Sequence, residues 1–302
     1  MTSAIPARPE LGHVVVGVDG SPSARTAALW AAAEADRRGR PLHIVHAADT
    51  DRRSLFAGVE TIQEVREAGR DLLAETANAV QERYPGLAVT RELSSLEAVS
   101  GLQAAAGIRS TMVVGSRGHG GFTALMLGSV GLGVATRAKV PVVVVRGEGE
   151  PAPVPASVTA AVDGASDLGW LLIAAAEADA GKAALRLVSV WNVFTHIGSV
   201  ATMLDDLGEL ARKRVHEVAA LADHVREVYP DLVVSHHVET GTSTPGILVE
   251  ASAHTDLLVM GRERRMLGVG PSLGRVAHTL LHHAHCPVEV VPPDFATRDE
   301  ET

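Results

Sequence analysis

Three glycines and a serine separate a short apolar run, Met112–Val114, from a stretch of helical pattern spanning Val130–Lys139. Their spacing is Gly115, two residues, Gly118, nine residues, then Gly128-Ser129, with Gly120 and Gly121 between. Glycine lets backbone N–H groups approach a ligand with no Cβ in the way. A helix that begins near Ser129 turns its unpaired N–H groups and the positive end of its dipole back towards the loop. Together these make an anion site, and phosphate is the anion it suits best. Ser129 supplies a hydroxyl and an N–H that can both donate to phosphate, although the same serine can serve as a plain N-cap. Arg117 and His119 flank the loop, either leaning on phosphates or standing as solvated charges. The loop is not of the Walker type, because Gly-Lys-Ser/Thr is missing, and Gly131-Leu132-Gly133 falls inside the helical stretch rather than between strand and helix as a dinucleotide fingerprint requires.

A carboxylate stands in a comparable place. His13–Asp19 is an apolar run that ends in Asp19, followed by Gly20, Ser21 as N-cap and Pro22 as first helical residue. At a strand end, Asp19 can accept a ribose or amide hydrogen bond, or cap the turn into the helix at Ser21, or do both.

The intervening elements place these groups. The pattern predicts helix over 24–38, strand over 42–47, a polar irregular stretch over 48–59, helix over 61–84, strand over 87–93, a short helix over 96–106, the strand at 112–114, the helix after the loop, and a last strand over 141–145. Alternation of strand and helix implies a parallel, doubly wound sheet with helices on both faces. With strand order 3-2-1-4-5, the ends at Asp19 and Gly115 are neighbours at the topological switch point, where such sheets bind ligands. A proline-rich linker, 147–155, follows, and then the pattern restarts. Thr159–Gly164 copies Val15–Gly20, Leu257–Gly261 copies Thr111–Gly115, and Pro287–Val291 copies Pro141–Val145. One internal duplication gives two tandem Rossmann-like α/β domains, 1–147 and 156–302, each with a five-stranded parallel sheet.

The glycine spacing resembles the nucleotide loop of the ATP-binding branch of the universal stress protein family, and the duplication looks like a tandem member matched over 11–146 and 156–292. The resemblance implies that Asp19 contacts a nucleotide and that the backbone of Ala47, just after His46 at the end of the second strand, meets the adenine. By the same matching, Gly115, Gly118, Gly128, Ser129 and Val130 line the ribose and triphosphate of ATP, with Mg²⁺ bound alongside the phosphates. It further implies stress or survival regulation rather than rapid turnover, and an unidentified protein partner. Terminal strands in this family often pair with each other, so 141–145 and 287–291 are expected to join two chains as a homodimer or the two halves of one chain. A slow Mg²⁺-dependent ATPase, or a partner-binding module whose loops are vestigial, remain the alternatives.

The second repeat departs from the pattern, with Arg264 in place of the second glycine and Arg275 in place of the serine, while Gly261 and Gly274 are kept. Arg262, Arg264, Arg265 and Arg275 either attract an anion or fill the old site, and the expectation is one nucleotide per chain, in the first repeat. Gly270-Pro-Ser272-Leu-Gly274 fits a nucleophile-elbow pattern, but the polar stretch before it is no strand, which argues against a serine hydrolase. His278 and His282 share a helix face without a supporting carboxylate or further cysteine nearby, which favours a helix C-terminus over a metal site. No residue beside the glycine loop stands out as a general base or nucleophile.

The net charge of −9 argues against general binding to nucleic acid or anionic membranes. The single cysteine, Cys286, excludes an intrachain disulfide and fits a reducing compartment. Met1–Glu10 lacks the apolar core of a signal peptide, and apolar runs fall short of a membrane span, so a cytoplasmic protein is expected.

Overall fold

β1 (Val14–Gly17) begins with three valines of zero exposure, as a central parallel strand covered on both faces requires. The chain leaves it through Gly20, whose φ of 88° suits glycine, and enters α1 (Pro22–Arg38) behind the N-cap Ser21. Small side chains, Ala27, Ala28, Ala31, Ala32 and Ala35, form the buried face of α1, and Gly39 in the left-handed region ends it. β2 (Leu42–Ala47) follows. The stretch expected to be irregular contains a short helix, α2 (Thr50–Arg53), with Asp49 before it at φ 52° and bonded through its carboxylate to Arg52. An i,i+3 ion pair of this kind gives no hydrophobic period, so the pattern did not reveal the helix. α3 (Val59–Arg83), β3 (Val89–Ser94), α4 (Ala98–Ala105), β4 (Thr111–Gly115), α5 (Ser129–Arg137) and β5 (Val142–Val145) complete the first repeat.

The structure is a computed structural model that describes residues 8–118, 127–146, 156–192, 204–262, 273–293 and 295, with backbone alone for 204–207. His119, Gly120 and Gly121 of the glycine loop, Arg264 and Arg265, and Gly270 and Ser272 of the elbow-like pattern lie outside the described residues. The chain divides into two compact units between residues 154 and 155, and Arg8 to Glu10 belong with the second.

In the first unit the sheet order is β3-β2-β1-β4-β5, with every pairing parallel. The second unit repeats it. β6 (Ser157–Ala161), α6 (Leu168–Gly181), β7 (Ala184–Asn192), α7 (Leu204–Val228), β8 (Val234–Gly241), α8 (Thr244–Ala251), β9 (Leu257–Gly261), α9 (Arg275–His283) and β10 (Val288–Val291) build a parallel sheet of order β8-β7-β6-β9-β10. Both are the predicted doubly wound α/β fold of order 3-2-1-4-5. Arg8 packs within the second unit, donating from Nε to the Val228 carbonyl at 3.0 Å and lying 4.6 Å from the centre of the Tyr229 ring. Among the described residues, no helix is long and apolar enough to cross a membrane.

Candidate functional site

The C-terminal ends of β1 and β4 lie side by side, since Val16 pairs with Val113 in register. Asp19 emerges there, exposed, and its two oxygens have different surroundings. Oδ1 accepts the Ser21 N–H at 3.0 Å and so closes the turn into α1. Oδ2 faces Gly118, where a Cβ would stand 2.5 Å from it. The carboxylate therefore caps the turn with one oxygen and presents the other to the glycine loop.

Two buried serines of α1 hold the start of that loop. Ser21 Oγ accepts the Ala24 N–H at 3.2 Å, capping the helix, and donates to the Arg117 carbonyl at 3.4 Å. Ser23 Oγ accepts the Arg117 N–H at 3.3 Å. Ser23 also explains Gly115, because a Cβ there would come within 2.6 Å of Ser23 Oγ and 2.7 Å of its carbonyl carbon. Gly115 thus lets α1 close onto β4. Ser23 was not singled out in the sequence; a serine in the first turn of a helix carries no distinctive pattern.

The far end of the loop returns to the same place. The Gly128 N–H donates to the Ser116 carbonyl at 2.9 Å, and a Cβ on Gly128 would lie 3.8 Å from the Gly118 nitrogen. Gly118 and Gly128 are therefore adjacent across the loop. Gly128, with φ −66° and ψ 156°, is the N-cap of α5, and no side chain caps this helix. This corrects the capping alternative for Ser129: it is the first helical residue, exposed, and its hydroxyl is not bonded to the helix start. Val130 follows, half-buried, in the same first turn. The first-turn N–H groups of α5 thus face the loop uncapped, next to Gly118 and Asp19.

Ala47 stands one strand away. The Val18 N–H bonds the Val45 carbonyl at 2.9 Å, so Val45 faces β1. Backbone direction alternates along a strand, and Ala47, two residues on, faces the same side, beyond the point where β1 has turned away at Asp19. Its N–H and carbonyl thus border the crevice, while its methyl faces α4, within 3.3 Å of where a Cβ on Gly101 would be.

In the second repeat the corresponding residues have different neighbours. Asp163 Oδ1 lies 3.2 Å from Arg214 Nη2 of α7. Asp167 accepts the Gly164 N–H at 3.2 Å through Oδ2 and the Trp170 indole N–H at 3.0 Å through Oδ1. The indole lies directly over Gly261, where a Cβ would meet Trp170 Nε1 at 2.4 Å. Arg275, like Ser129, is the first residue of its helix behind an N-cap glycine, Gly274. The His278 and His282 rings stack with centroids 4.4 Å apart near the end of α9.

The universal stress protein family model matches residues 10–146 and again 157–292, both repeats and nearly the whole chain. The chain belongs to the universal stress protein family. A universal stress protein of Mycolicibacterium smegmatis is 41% identical over 133 residues, 44% of this chain and 45% of that one. A Mycobacterium tuberculosis universal stress protein is 36% identical over 138 residues, 46% of each. The matched region thus spans about half the length of these curated relatives. Among solved structures, a universal stress protein from Archaeoglobus fulgidus aligns with a TM-score of 0.68 at 17% identity, over 93% of this chain and 98% of that one, a likeness of fold. As a tandem member of the family, the chain carries two copies of the universal stress protein domain, and they differ at the crevice between the first and fourth strands.

Proposed function

We propose that the first repeat binds a nucleotide, ATP, at the crevice between β1 and β4, and that the protein acts as a cytoplasmic nucleotide-dependent regulator of stress response or survival. The observation that carries this reading is the convergence of the Asp19 carboxylate on Gly118, beside Gly128 and the uncapped start of α5. Backbone N–H groups and an exposed serine hydroxyl suit phosphate oxygens, and a carboxylate oxygen suits a ribose hydroxyl. The Ala47 N–H and carbonyl offer a donor and an acceptor side by side, the pair that an adenine edge requires. Gly115, Gly118, Gly128, Ser129 and Val130 would line the ribose and phosphates. Mg²⁺ would accompany the phosphates, coordinated by their oxygens.

The second repeat is assigned no nucleotide. Trp170 packs on Gly261, Arg214 pairs with Asp163, and Arg275 stands where the first repeat has Ser129; these differences support a stoichiometry of one ATP per chain.

Purified protein is denatured and the released nucleotides are separated by chromatography; equilibrium dialysis with labelled ATP then compares Gly118→Val and Gly128→Val with the parent. The expected result is ATP in the extract and loss of binding in both variants with helix content retained. Undiminished affinity in both would overturn the phosphate-loop reading.

A further inference from the structure

The Val18 carbonyl is the next acceptor on the β1–β2 ladder after the bond from the Val18 N–H to Val45. Continuing the parallel pattern would give it to the Ala47 N–H. That rung is not formed. The Val18 carbonyl instead meets His46 Nδ1 at 2.8 Å, and because a carbonyl only accepts, Nδ1 carries the proton. The imidazole is held in this orientation by α3, where Gly69 is buried and a Cβ would strike His46 Cδ2 at 2.9 Å and Leu93 Cδ1 at 2.6 Å.

We propose that His46 is a positioning residue of the first-repeat site: its imidazole occupies the Val18 carbonyl at the rung where the β1–β2 ladder ends, fixes that carbonyl, and leaves the Ala47 backbone to a ligand. The ligand class is a heterocycle that presents an acceptor and a donor side by side, and the inference rests on the nucleotide reading above. The same bond ties down the carbonyl immediately before Asp19, so one side chain sets both a backbone contact and the strand end that carries the carboxylate.

The second repeat is an internal comparison. Its ladder runs to the matching point, with the Val162 N–H on the Val188 carbonyl at 2.9 Å. The next residue on β7 is Ser189, of zero exposure, and its hydroxyl has no hydrogen-bond partner. A serine is too short to make the imidazole's reach. There too the Val190 N–H does not bond the Val162 carbonyl, so the ladder ends at the same rung in both repeats, and what the first repeat adds is a side chain that holds the carbonyl at that end.

The test uses the full chain and two variants, His46→Asn, whose amide nitrogen falls near the Nδ1 position, and His46→Leu, which fills the space without a donor. In ¹⁵N-histidine spectra the His46 signal, assigned by its loss in the variants, should show a protonated Nδ1; an Nε2–H tautomer would overturn the proposal. Without ligand, the Ala47 amide should exchange freely in the parent and in His46→Asn and gain protection in His46→Leu; equal protection in parent and His46→Leu would overturn it. In calorimetric titration with ATP, His46→Leu should weaken binding about fivefold to tenfold and His46→Asn should recover most of the loss. Equal affinities for the two variants would argue against the Nδ1 role. If the parent takes up no ATP, the nucleotide reading fails by itself, and the tautomer and the Ala47 exchange still decide the role of His46.

Discussion

The two oxygens of Asp19 can be separated by experiment. Oδ1 accepts the Ser21 N–H at 3.0 Å, and Oδ2 faces Gly118. Asp19→Ala removes both. Asp19→Asn keeps a carbonyl oxygen for Ser21 and turns an NH₂ towards the loop. For stability, losing the Ser21 acceptor costs about 1 kcal/mol, since the bond is neutral on one side and the turn is open to water. Asp19→Asn should leave stability almost unchanged. For affinity, a hydrogen bond from the ligand to a charged acceptor contributes about 1.5–3 kcal/mol, or roughly 10- to 150-fold at 1.4 kcal/mol per decade. Asp19→Ala loses it outright; in Asp19→Asn the amide N–H can still donate to a ribose hydroxyl that turns its oxygen towards it, so only the charge-assisted part is lost.

The stability arm needs a reporter confined to the first unit. Trp30 lies in α1, the helix that Asp19 leads into, while Trp170 and Trp191 lie in the second unit. Incorporation of 5-fluorotryptophan gives separate resonances, and the Trp30 signal follows urea unfolding of the first unit alone. Calorimetry with ATP supplies the affinity. The expected pattern is the lowest affinity and reduced stability in Asp19→Ala, with intermediate affinity and near-parent stability in Asp19→Asn. If Asp19→Ala binds ATP as the parent does, Oδ2 makes no contact with the ligand, and Asp19 is a turn cap only.

The remaining predictions use the same reporters. Gly115→Ala should destabilise the first unit by about 1–3 kcal/mol through overpacking against the Ser23 backbone, whereas Gly128→Ala, whose Cβ has its nearest neighbours at 3.8 Å, should lose no more than the modest N-cap preference for glycine, in urea titrations read at Trp30. Calorimetry of the full chain should give one ATP, unchanged by Asp163→Ala and weakened roughly 10- to 150-fold by Asp19→Ala; two equal sites would show that the second repeat also binds. Burial pushes the Tyr229 hydroxyl up to about 12, against an ordinary 10, the Arg8 guanidinium opposing the shift. The stability this represents is intact below pH 10, where the unfolded chain keeps its tyrosine proton, and is lost as pH rises towards 12, by at most about 3 kcal/mol. Tyr229→Phe, which also removes a buried hydroxyl with no partner, should therefore exceed the parent's stability increasingly above pH 10, read at the Trp170 and Trp191 resonances.

The sheet order and the duplication were legible because both depend on strong, repeated signals: valine runs such as Val14–Val16 and Val142–Val145, helix stops at Gly39, and the Ser21-Pro22 start. α2 was not legible, since four residues are too few to show a helical period. The helix boundary at Ser129 was misplaced by one residue because glycine and serine are both accepted at an N-cap, and only the backbone angles decide between them. His46 appeared as an ordinary strand-end histidine; its bond to Val18 depends on a carbonyl of the neighbouring strand, and nothing local encodes that.

Gly115 and Gly261 show why a glycine pattern alone overstates the kinship of the two sites. They hold equivalent places at the ends of β4 and β9, and the sequence pattern counts Gly261 as kept from the loop of the first repeat. Each is glycine for a packing reason. At Gly115 the neighbour is the Ser23 backbone, and the closeness of α1 leaves Ser21 and Ser23 to clasp both sides of the Arg117 peptide. At Gly261 the neighbour is the Trp170 indole, held by Asp167, which stands over the strand end. The same missing Cβ thus lets a helix support a loop in one repeat and seats an indole in the other. Among the described residues the difference lies in the first turns of α1 and α6: a serine whose hydroxyl accepts the Arg117 N–H, or a tryptophan whose indole packs on Gly261.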